Sequence, residues 1–177
     1  MNRTADVVIV GAGVIGSATA FELAKRGYKT LNIDKLPASG YGSTSNSCAI
    51  VRAHYSTWDG VAMAYEGFFY WDDWNKYLEV EDERGMAKYM KTGSIMFMLK
   101  GADHSKKSLN LFKEIGVEHE IWDLETVKKK MPIYSHDSYN GTSRPDEDDS
   151  FFDKSGDQIE GAVWTPGSGY VSDPQLA

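Results

Sequence analysis

The stretch Val7-Val8-Ile9-Val10-Gly11-Ala12-Gly13-Val14-Ile15-Gly16 decides the fold of this chain. Its first four residues are a continuous β-branched run, which predicts a strand buried on both faces, as in a parallel sheet. The remaining six form a glycine-rich turn, and the apolar spacing after it predicts a helix over residues 17–26. A second short strand is predicted over residues 30–33. The first 34 residues therefore contain a βαβ unit.

The turn between the first strand and the helix has the spacing G-x-G-x-x-G. In this context Gly11 permits the tight turn, Gly13 lets the backbone approach a pyrophosphate, and Gly16 lets helix and strand pack closely. Asp34 follows Gly16 by 18 residues, close to the ~20 expected for a carboxylate that accepts ribose hydroxyls. A carboxylate repels a 2′-phosphate, so the pattern indicates an unphosphorylated dinucleotide. NAD and FAD both satisfy it.

Composition excludes several other classes of function. The chain has 177 residues and a net charge of −7, which disfavours non-specific binding to a nucleic-acid backbone. A single cysteine excludes an internal disulfide and a cysteine-rich zinc site. No apolar run approaches the ~20 residues of a membrane span, so we expect a cytoplasmic protein. The histidines lack metal-ligand spacing, so no metal site is predicted.

The rest of the chain alternates between short predicted elements. The predicted helices cover residues 59–78, 105–115 and 123–130, the last of them capped by Asp123. The predicted strands cover residues 91–99, 117–122 and 159–166, and residues 37–47 form a loop. Residues 136–158 are polar and include the acidic run Asp146–Asp149, which predicts a solvated loop or insertion.

Several segments together resemble one family. The glycine spacing from Gly11 to Gly27, with Asp34, resembles the N-terminal FAD fingerprint of flavoprotein amine oxidases. The segment Gly42–Tyr55 resembles the loop after the second strand in the D-amino-acid oxidase superfamily. It is most similar to the sarcosine oxidase and dimethylglycine dehydrogenase branch. Residues 91–97, 115–118, 131–132 and 161–174 resemble later family segments, in the family's order.

The resemblance implies an α/β fold class, namely a Rossmann-type FAD-binding domain of the GR2-like kind with part of an α+β substrate domain. The implied domains are residues 1–55 for the FAD-binding unit and flavin loop, 56–158 for the substrate domain, and 159–177 for the return to the FAD domain. Family members are longer than this chain and continue into a C-terminal half. We therefore expect a second chain that carries this half as a partner.

The resemblance also implies a reaction and a set of site residues. The reaction is FAD-dependent oxidation of the C–N bond of an N-substituted amino acid, giving an imine that hydrolyses. Arg52 anchors the substrate carboxylate, since a guanidinium matches a carboxylate bidentately; a structural ion pair is its alternative role. The implied cofactor contacts are Gly11, Gly13, Val14, Ile15, Gly16, Asp34, Lys35, Ser43, Thr44, Ser45, Ala49 and Ile50.

Other functions stay open at this point. One is an NAD-binding subunit of a dehydrogenase, and another is a non-catalytic fragment or scaffold of a flavoprotein. A different flavin substrate, such as a 2-hydroxy acid, is also open because fold does not fix function. Cys48 is expected to be a small buried residue rather than a flavin attachment site. The resemblance also implies that His54 lies near the flavin face.

Overall fold

The computed structural model describes residues 4–139, 144, 146 and 149–177. Its strands are β1 (Val7–Val10), β2 (Thr30–Ile33), β3 (Ile50–Val51), β4 (Tyr89–Met90), β5 (Ser94–Met98), β6 (Glu120–Asp123), β7 (Asp137–Tyr139), β8 (Lys154–Gln158), β9 (Gly161–Thr165) and β10 (Gly169–Val171). Its helices are α1 (Val14–Lys25), α2 (Trp58–Asp72), α3 (Trp74–Leu78), α4 (Asp103–Ile115) and α5 (Leu124–Lys130), with a short 3₁₀ turn at Asp149–Phe152.

Packing contacts divide the chain into two units. The first unit comprises residues up to 51, 70–90 and 170–177, and the second comprises 52–69 and 91–169. These bounds follow contacts, whereas the predicted domains 1–55, 56–158 and 159–177 follow a family pattern and remain a prediction. No helix among the described residues has the length and apolar character to cross a bilayer.

The first unit contains the predicted βαβ unit. β1 pairs in parallel with β2, in a register that runs from Val7 opposite Thr30 to Val10 opposite Ile33. α1 connects the two strands and begins at Val14, three residues earlier than predicted. It ends at Lys25, with Arg26 as the C-cap, and Gly27 follows with a φ of 85°, a left-handed conformation that glycine adopts without strain.

One prediction about β1 is wrong. Its burial alternates, and the side chains of Val8 and Val10 are 54% and 89% exposed. The apolar run predicted burial on both faces, as in the middle of a parallel sheet. Within the described chain this sheet has only the strands β1 and β2, and one of its faces is open. Leu31 and Ile33 on β2 are exposed as well.

Residues 58–78, which are rich in aromatic side chains, form the two helices α2 and α3 instead of the single helix predicted over residues 59–78. Asp73 leaves the helical conformation, with φ −118° and ψ 43°, and its carbonyl accepts the Tyr77 N–H at the start of α3. Short acidic side chains favour such helix ends over helix interiors. α3 then packs on α1, where the Tyr77 hydroxyl donates to Glu22 over 2.8 Å and its ring lies 5.3 Å from that of Phe21.

The second unit is built on an antiparallel sheet in the order β5-β9-β6. Its core comprises Trp122, Val127, Ile159 and Ala162, with Trp164 stacked on Trp122 at 5.1 Å. The three strands and two helices agree with the predicted positions apart from their ends. Asp123 caps α5 as predicted, because its Oδ1 accepts the Thr126 N–H over 2.8 Å.

The prediction of a loop for residues 136–158 is wrong at both ends of the segment. β7 and β8 pair antiparallel, with Asp137 opposite Gln158 and Tyr139 opposite Lys154. Lys154 also forms an ion pair with Asp137 over 2.6 Å. Every residue of β8 is exposed, so the hairpin lacks the alternation of apolar residues that marks a strand. Of the acidic run Asp146–Asp149, residues 147 and 148 lie outside the described residues.

Candidate functional site

The glycine loop between β1 and α1 tolerates no side chain at its third glycine. A Cβ on Gly16 would lie 2.0 Å from the carbonyl oxygen of Gly11, far inside van der Waals contact. Gly11 itself has a φ of 107°, which L-residues with a side chain rarely adopt. Gly13 is tight too, since its Cβ would meet the Thr44 hydroxyl oxygen at 3.1 Å. The loop therefore presents backbone rather than side chains.

The N-terminus of α1 lies beside this loop. Val14 starts the helix, and its N–H donates to the Thr44 Oγ1 over 3.0 Å. The neighbouring Ile15 is 82% exposed, and the first turn contains no acidic residue. Free N–H groups and the positive end of the helix dipole favour an anion at this place. The Thr44 hydroxyl at the same place is neutral, so it does not repel an anion.

Asp34 connects the end of β2 to the glycine loop. Its Oδ2 accepts the Ala12 N–H over 2.7 Å, and its Oδ1 accepts the Leu36 N–H over 2.8 Å. These two backbone hydrogen bonds, Ala12 first, hold the pKa of the Asp34 carboxyl below its usual value. The group is therefore ionised at neutral pH and is placed to accept hydroxyl hydrogen bonds, as a ribose offers.

The structure brings only part of the predicted cofactor set together. Gly11, Gly13, Val14, Gly16, Asp34 and Thr44 meet around the loop. Ser45 instead donates to the Gly42 carbonyl within its own turn. Among described residues, the side chains of Lys35 and Ser43 form no hydrogen bond. Ile15 and Ile50 are exposed, and the contacts predicted for all of these residues with a cofactor remain predictions.

Two residues just before β3 are unusual, Ala49 in its backbone conformation and Cys48 in its exposure. Ala49 has a φ of 52°, and its carbonyl accepts the Val171 N–H over 2.9 Å, which holds β10 beside the loop. A non-glycine residue in this conformation is strained and is typical of functional loops. Cys48 is exposed, so the expectation that it is buried is wrong.

Arg52 belongs to the second unit and is exposed. Its Nη1 donates to the His54 carbonyl over 2.9 Å, and its guanidinium lies 5.5 Å from the centre of the Tyr55 ring. None of the carboxylates in the described part of the chain forms an ion pair with it. A guanidinium offers five N–H groups in a planar fork, so most of its hydrogen-bonding capacity remains for a ligand. The alternative role of Arg52 in a structural ion pair is not observed among these residues.

The fold and the glycine loop define the class of protein. A parallel β-strand pair joined by a helix, a loop closed to side chains and an ionised aspartate at the second strand are typical of dinucleotide-binding proteins. Residues 6–177 match the family model described as FAD dependent oxidoreductase, known as DAO. The chain belongs to this family, which confirms the predicted resemblance and the α/β fold class.

Several curated relatives carry the name sarcosine oxidase. A Caenorhabditis elegans protein provisionally named a sarcosine oxidase is 31% identical over 147 residues, covering 82% of this chain and 36% of the relative. The monomeric sarcosine oxidase of Bacillus sp. strain B-0618 is 29% identical over 149 residues, covering 82% of this chain and 37% of the relative. The chain thus spans less than two fifths of the length of these relatives.

A solved structure gives the same fold. L-proline dehydrogenase from P. horikoshii superimposes with a TM-score of 0.71 at 20% identity, covering 98% of this chain and 39% of that one. The described residues therefore correspond to part of a larger FAD-dependent oxidoreductase fold. They form a mixed α/β arrangement, as predicted.

The residues around the loop fit FAD, the cofactor of the family. The exclusion of a Cβ at Gly16, the N-terminus of α1 and the ionised Asp34 suit the adenosine diphosphate half of the molecule. NAD, left open by the glycine spacing alone, is not favoured by the family match. The sequence predicts these residues as cofactor contacts because they lie on one short, regular unit.

Sequence reasoning singled out His54 but missed the two hydroxyl residues that contact its ring. His54 is buried, and its Nε2 lies 2.9 Å from Thr165 Oγ1 and 3.0 Å from Ser94 Oγ. The two hydroxyl residues lie far from His54 in sequence, on β5 and β9. Single serines and threonines in strands carry no pattern that predicts such a contact.

Proposed function

We propose that this chain forms the FAD-binding part of an enzyme that oxidises the C–N bond of an N-substituted amino acid, with N-methylglycine as the simplest candidate. FAD, when bound, accepts a hydride equivalent from the carbon next to nitrogen, and the product imine hydrolyses in water. The protein's part is to hold the cofactor and orient the amine. The names of the sarcosine oxidase relatives support this class of substrate.

The substrate assignment depends on the exposure and the bonding partners of the Arg52 side chain. Its guanidinium is exposed, makes one hydrogen bond to a backbone carbonyl, and has no acidic partner among the described residues. A substrate carboxylate supplies the missing opposite charge in bidentate geometry. Amines without a carboxylate gain nothing from this group, so Arg52 selects amino acids over simple amines.

The cofactor is held by groups with different tasks. Gly13 and the start of α1 offer backbone N–H groups to the pyrophosphate, and the ionised Asp34 accepts hydroxyl hydrogen bonds from the ribose. Thr44 contributes a hydroxyl at the helix N-terminus. Lys35, Ser43, Ser45, Ala49 and Ile50 complete the proposed set along the loop after β2.

Activity is proposed to need the rest of the family's fold. The exposed apolar residues Val8, Val10, Leu31 and Ile33 on the β1–β2 pair support this proposal, because such a sheet face is normally covered. A second chain carrying the C-terminal half remains our prediction for the partner. Mass analysis of the complex purified from its natural source tests it, and a protein that turns over substrate without such a chain contradicts it.

The substrate assignment is tested by anaerobic reduction of the FAD-loaded complex of this chain with its proposed partner chain. N-methylglycine is expected to bleach the flavin absorbance, whereas N-methylethylamine, which lacks a carboxylate, is expected to be much slower. Replacing Arg52 by Gln is expected to lower kcat/KM for N-methylglycine by roughly tenfold to a hundredfold, since hydrogen bonds between charged groups are lost. Arg26→Gln, at an exposed ion pair with Glu22, is the matched control.

Two results contradict the proposal. Equal reduction by the two amines would remove the carboxylate from substrate recognition. A complex that binds FAD but is reduced by no amine would favour the remaining alternatives, which are a different flavin substrate such as a 2-hydroxy acid and a non-catalytic scaffold that retains the fold.

A further inference from the structure

A buried polar cluster lies next to Arg52 in the second unit. The His54 cluster, as we name it, consists of His54, Ser94, Thr165 and Ser168. His54 is 6% exposed, and Thr165 and Ser168 are fully buried. Thr165 Oγ1 is its centre, 2.9 Å from His54 Nε2, 2.8 Å from Ser94 Oγ and 2.9 Å from Ser168 Oγ.

The polar side chains of the His54 cluster form hydrogen bonds with one another. A hydroxyl can donate or accept, so Nε2 finds a partner in either neutral tautomer. The Phe112 ring meets the imidazole edge-on, with centroids 5.4 Å apart, and closes another side. Burial, aided by the charge of Arg52, lowers the pKa of His54 to about 4, so the ring is neutral at physiological pH. A buried polar network with all members paired fixes one geometry.

The backbone of His54 connects this cluster to Arg52. The His54 carbonyl accepts the Arg52 Nη1–H over 2.9 Å, while the His54 ring is held by β5 and β9. One residue further on, the Tyr55 carbonyl accepts the hydroxyl of Ser108 over 3.2 Å. The segment carrying the arginine is therefore held to the sheet through the ring of His54 and to α4 through Tyr55.

We propose that His54 is a positioning residue, which the Ser94 and Thr165 hydroxyls lock in place so that its carbonyl holds the Arg52 guanidinium ready for a carboxylate. The inference rests on the proposed function, in which Arg52 binds the substrate. An exposed arginine otherwise samples many rotamers, and ordering it in advance removes part of the entropy lost on binding. The imidazole itself touches no reacting atom in this role.

The test removes one hydroxyl of the His54 cluster and leaves Arg52 itself unchanged. Thr165→Val deletes the central hydroxyl at nearly constant volume, and Thr165→Ser, which keeps the hydroxyl, is its matched control. Rigidity of the arginine is read from the ¹⁵N heteronuclear NOE of the Arg52 Nε–H group in the purified protein without ligand. We expect a high value in the wild type and in Thr165→Ser, and a reduced value in Thr165→Val.

A second readout connects rigidity to binding. Sodium acetate, the probe carboxylate, is titrated while the Arg52 Nε–H chemical shift is followed. Thr165→Val is expected to raise the acetate Kd by roughly threefold to tenfold, as for the loss of one hydrogen bond, and Thr165→Ser is expected to match the wild type. If Thr165→Val loses the dispersed amide spectrum of a folded protein, Ser94→Ala at the half-buried end of the cluster replaces it.

The outcomes separate this inference from the proposed function. An Arg52 NOE and an acetate Kd that stay at the wild-type values in the folded variant overturn the positioning role of His54, whatever Arg52 binds. A wild-type protein in which acetate leaves the Arg52 signal unmoved overturns the proposed carboxylate role of Arg52. The NOE series then still reports whether the cluster holds the side chain.

Discussion

Replacing Gly16 by Ala is expected to damage cofactor binding through a backbone clash that can be estimated from the structure. The new Cβ would lie 2.0 Å from the Gly11 carbonyl oxygen and 2.9 Å from its carbon, where ordinary contact begins at 3.4 Å. Both partners are backbone atoms, so the loop or α1 must shift by more than an ångström. Overpacking of this kind costs about 1–3 kcal/mol. The shift also displaces the N–H groups proposed to face the pyrophosphate.

A second glycine in a helix provides the control. A Cβ on Gly67 in α2 meets nothing within 4 Å, so Gly67→Ala is expected to stabilise the protein by about 0.5–1 kcal/mol. The gain in helix propensity is common to both variants, and the difference between them isolates the clash.

Urea unfolding followed by circular dichroism, together with titration of FAD by quenching of its fluorescence, measures both consequences. We expect the free energies of unfolding of the two variants to differ by about 1–3 kcal/mol. The FAD Kd of Gly16→Ala is expected to rise by roughly tenfold or more, the equivalent of about 1.4 kcal/mol, and that of Gly67→Ala to stay at the wild-type value. A Gly16→Ala protein with wild-type stability and wild-type FAD affinity would refute the reasoning about the loop.

Two further predictions concern titratable groups. Asp34→Asn is expected to weaken FAD binding by roughly fivefold or more, because an amide cannot accept at both ends as the carboxylate does for Ala12 and Leu36; unchanged affinity would exclude Asp34 from the site. The wild-type contribution of Asp34 is present above its ordinary pKa and is lost as the pH falls through its lowered value. For His54, whose folded pKa of about 4 lies below the usual 6.5, the unfolded state takes up the proton first as the pH falls. Stability should therefore drop by up to about 3 kcal/mol between these values in the wild type relative to His54→Asn, and an NMR titration midpoint of His54 near 6.5 would contradict this.

Local signals predicted the parts of the fold that depend on short stretches of chain. The βαβ unit follows from a β-branched run, three glycines and a helix of ordinary length, all within the first 34 residues. The cap of α5 follows from Asp123 alone, whose carboxylate reaches the third residue of its own helix. In both cases the decisive contacts join residues near in sequence or constrained by one regular crossover.

The sequence did not predict which strands pair when they are far apart in the chain. Every residue of β8 in the β7–β8 hairpin is exposed, so the strand has no apolar face. Asp137 and Lys154 form an ion pair, but in the sequence they cannot be told from ordinary solvated charges. The partial burial of β1 likewise depends on how many strands lie beside it, and the apolar run of four residues carries no such information.

For this protein the sequence alone determined the βαβ unit and the family, and it predicts the dinucleotide site with its acidic partner, because glycine spacing and strand–turn–helix order are local properties of the chain. Only the tertiary structure decided that Thr44 reaches the start of α1 and that the His54 ring lies between hydroxyls from β5 and β9. Residues up to 111 positions apart meet there. The physical reason is that their contacts depend on strand register and packing, which the whole fold sets and no single segment specifies.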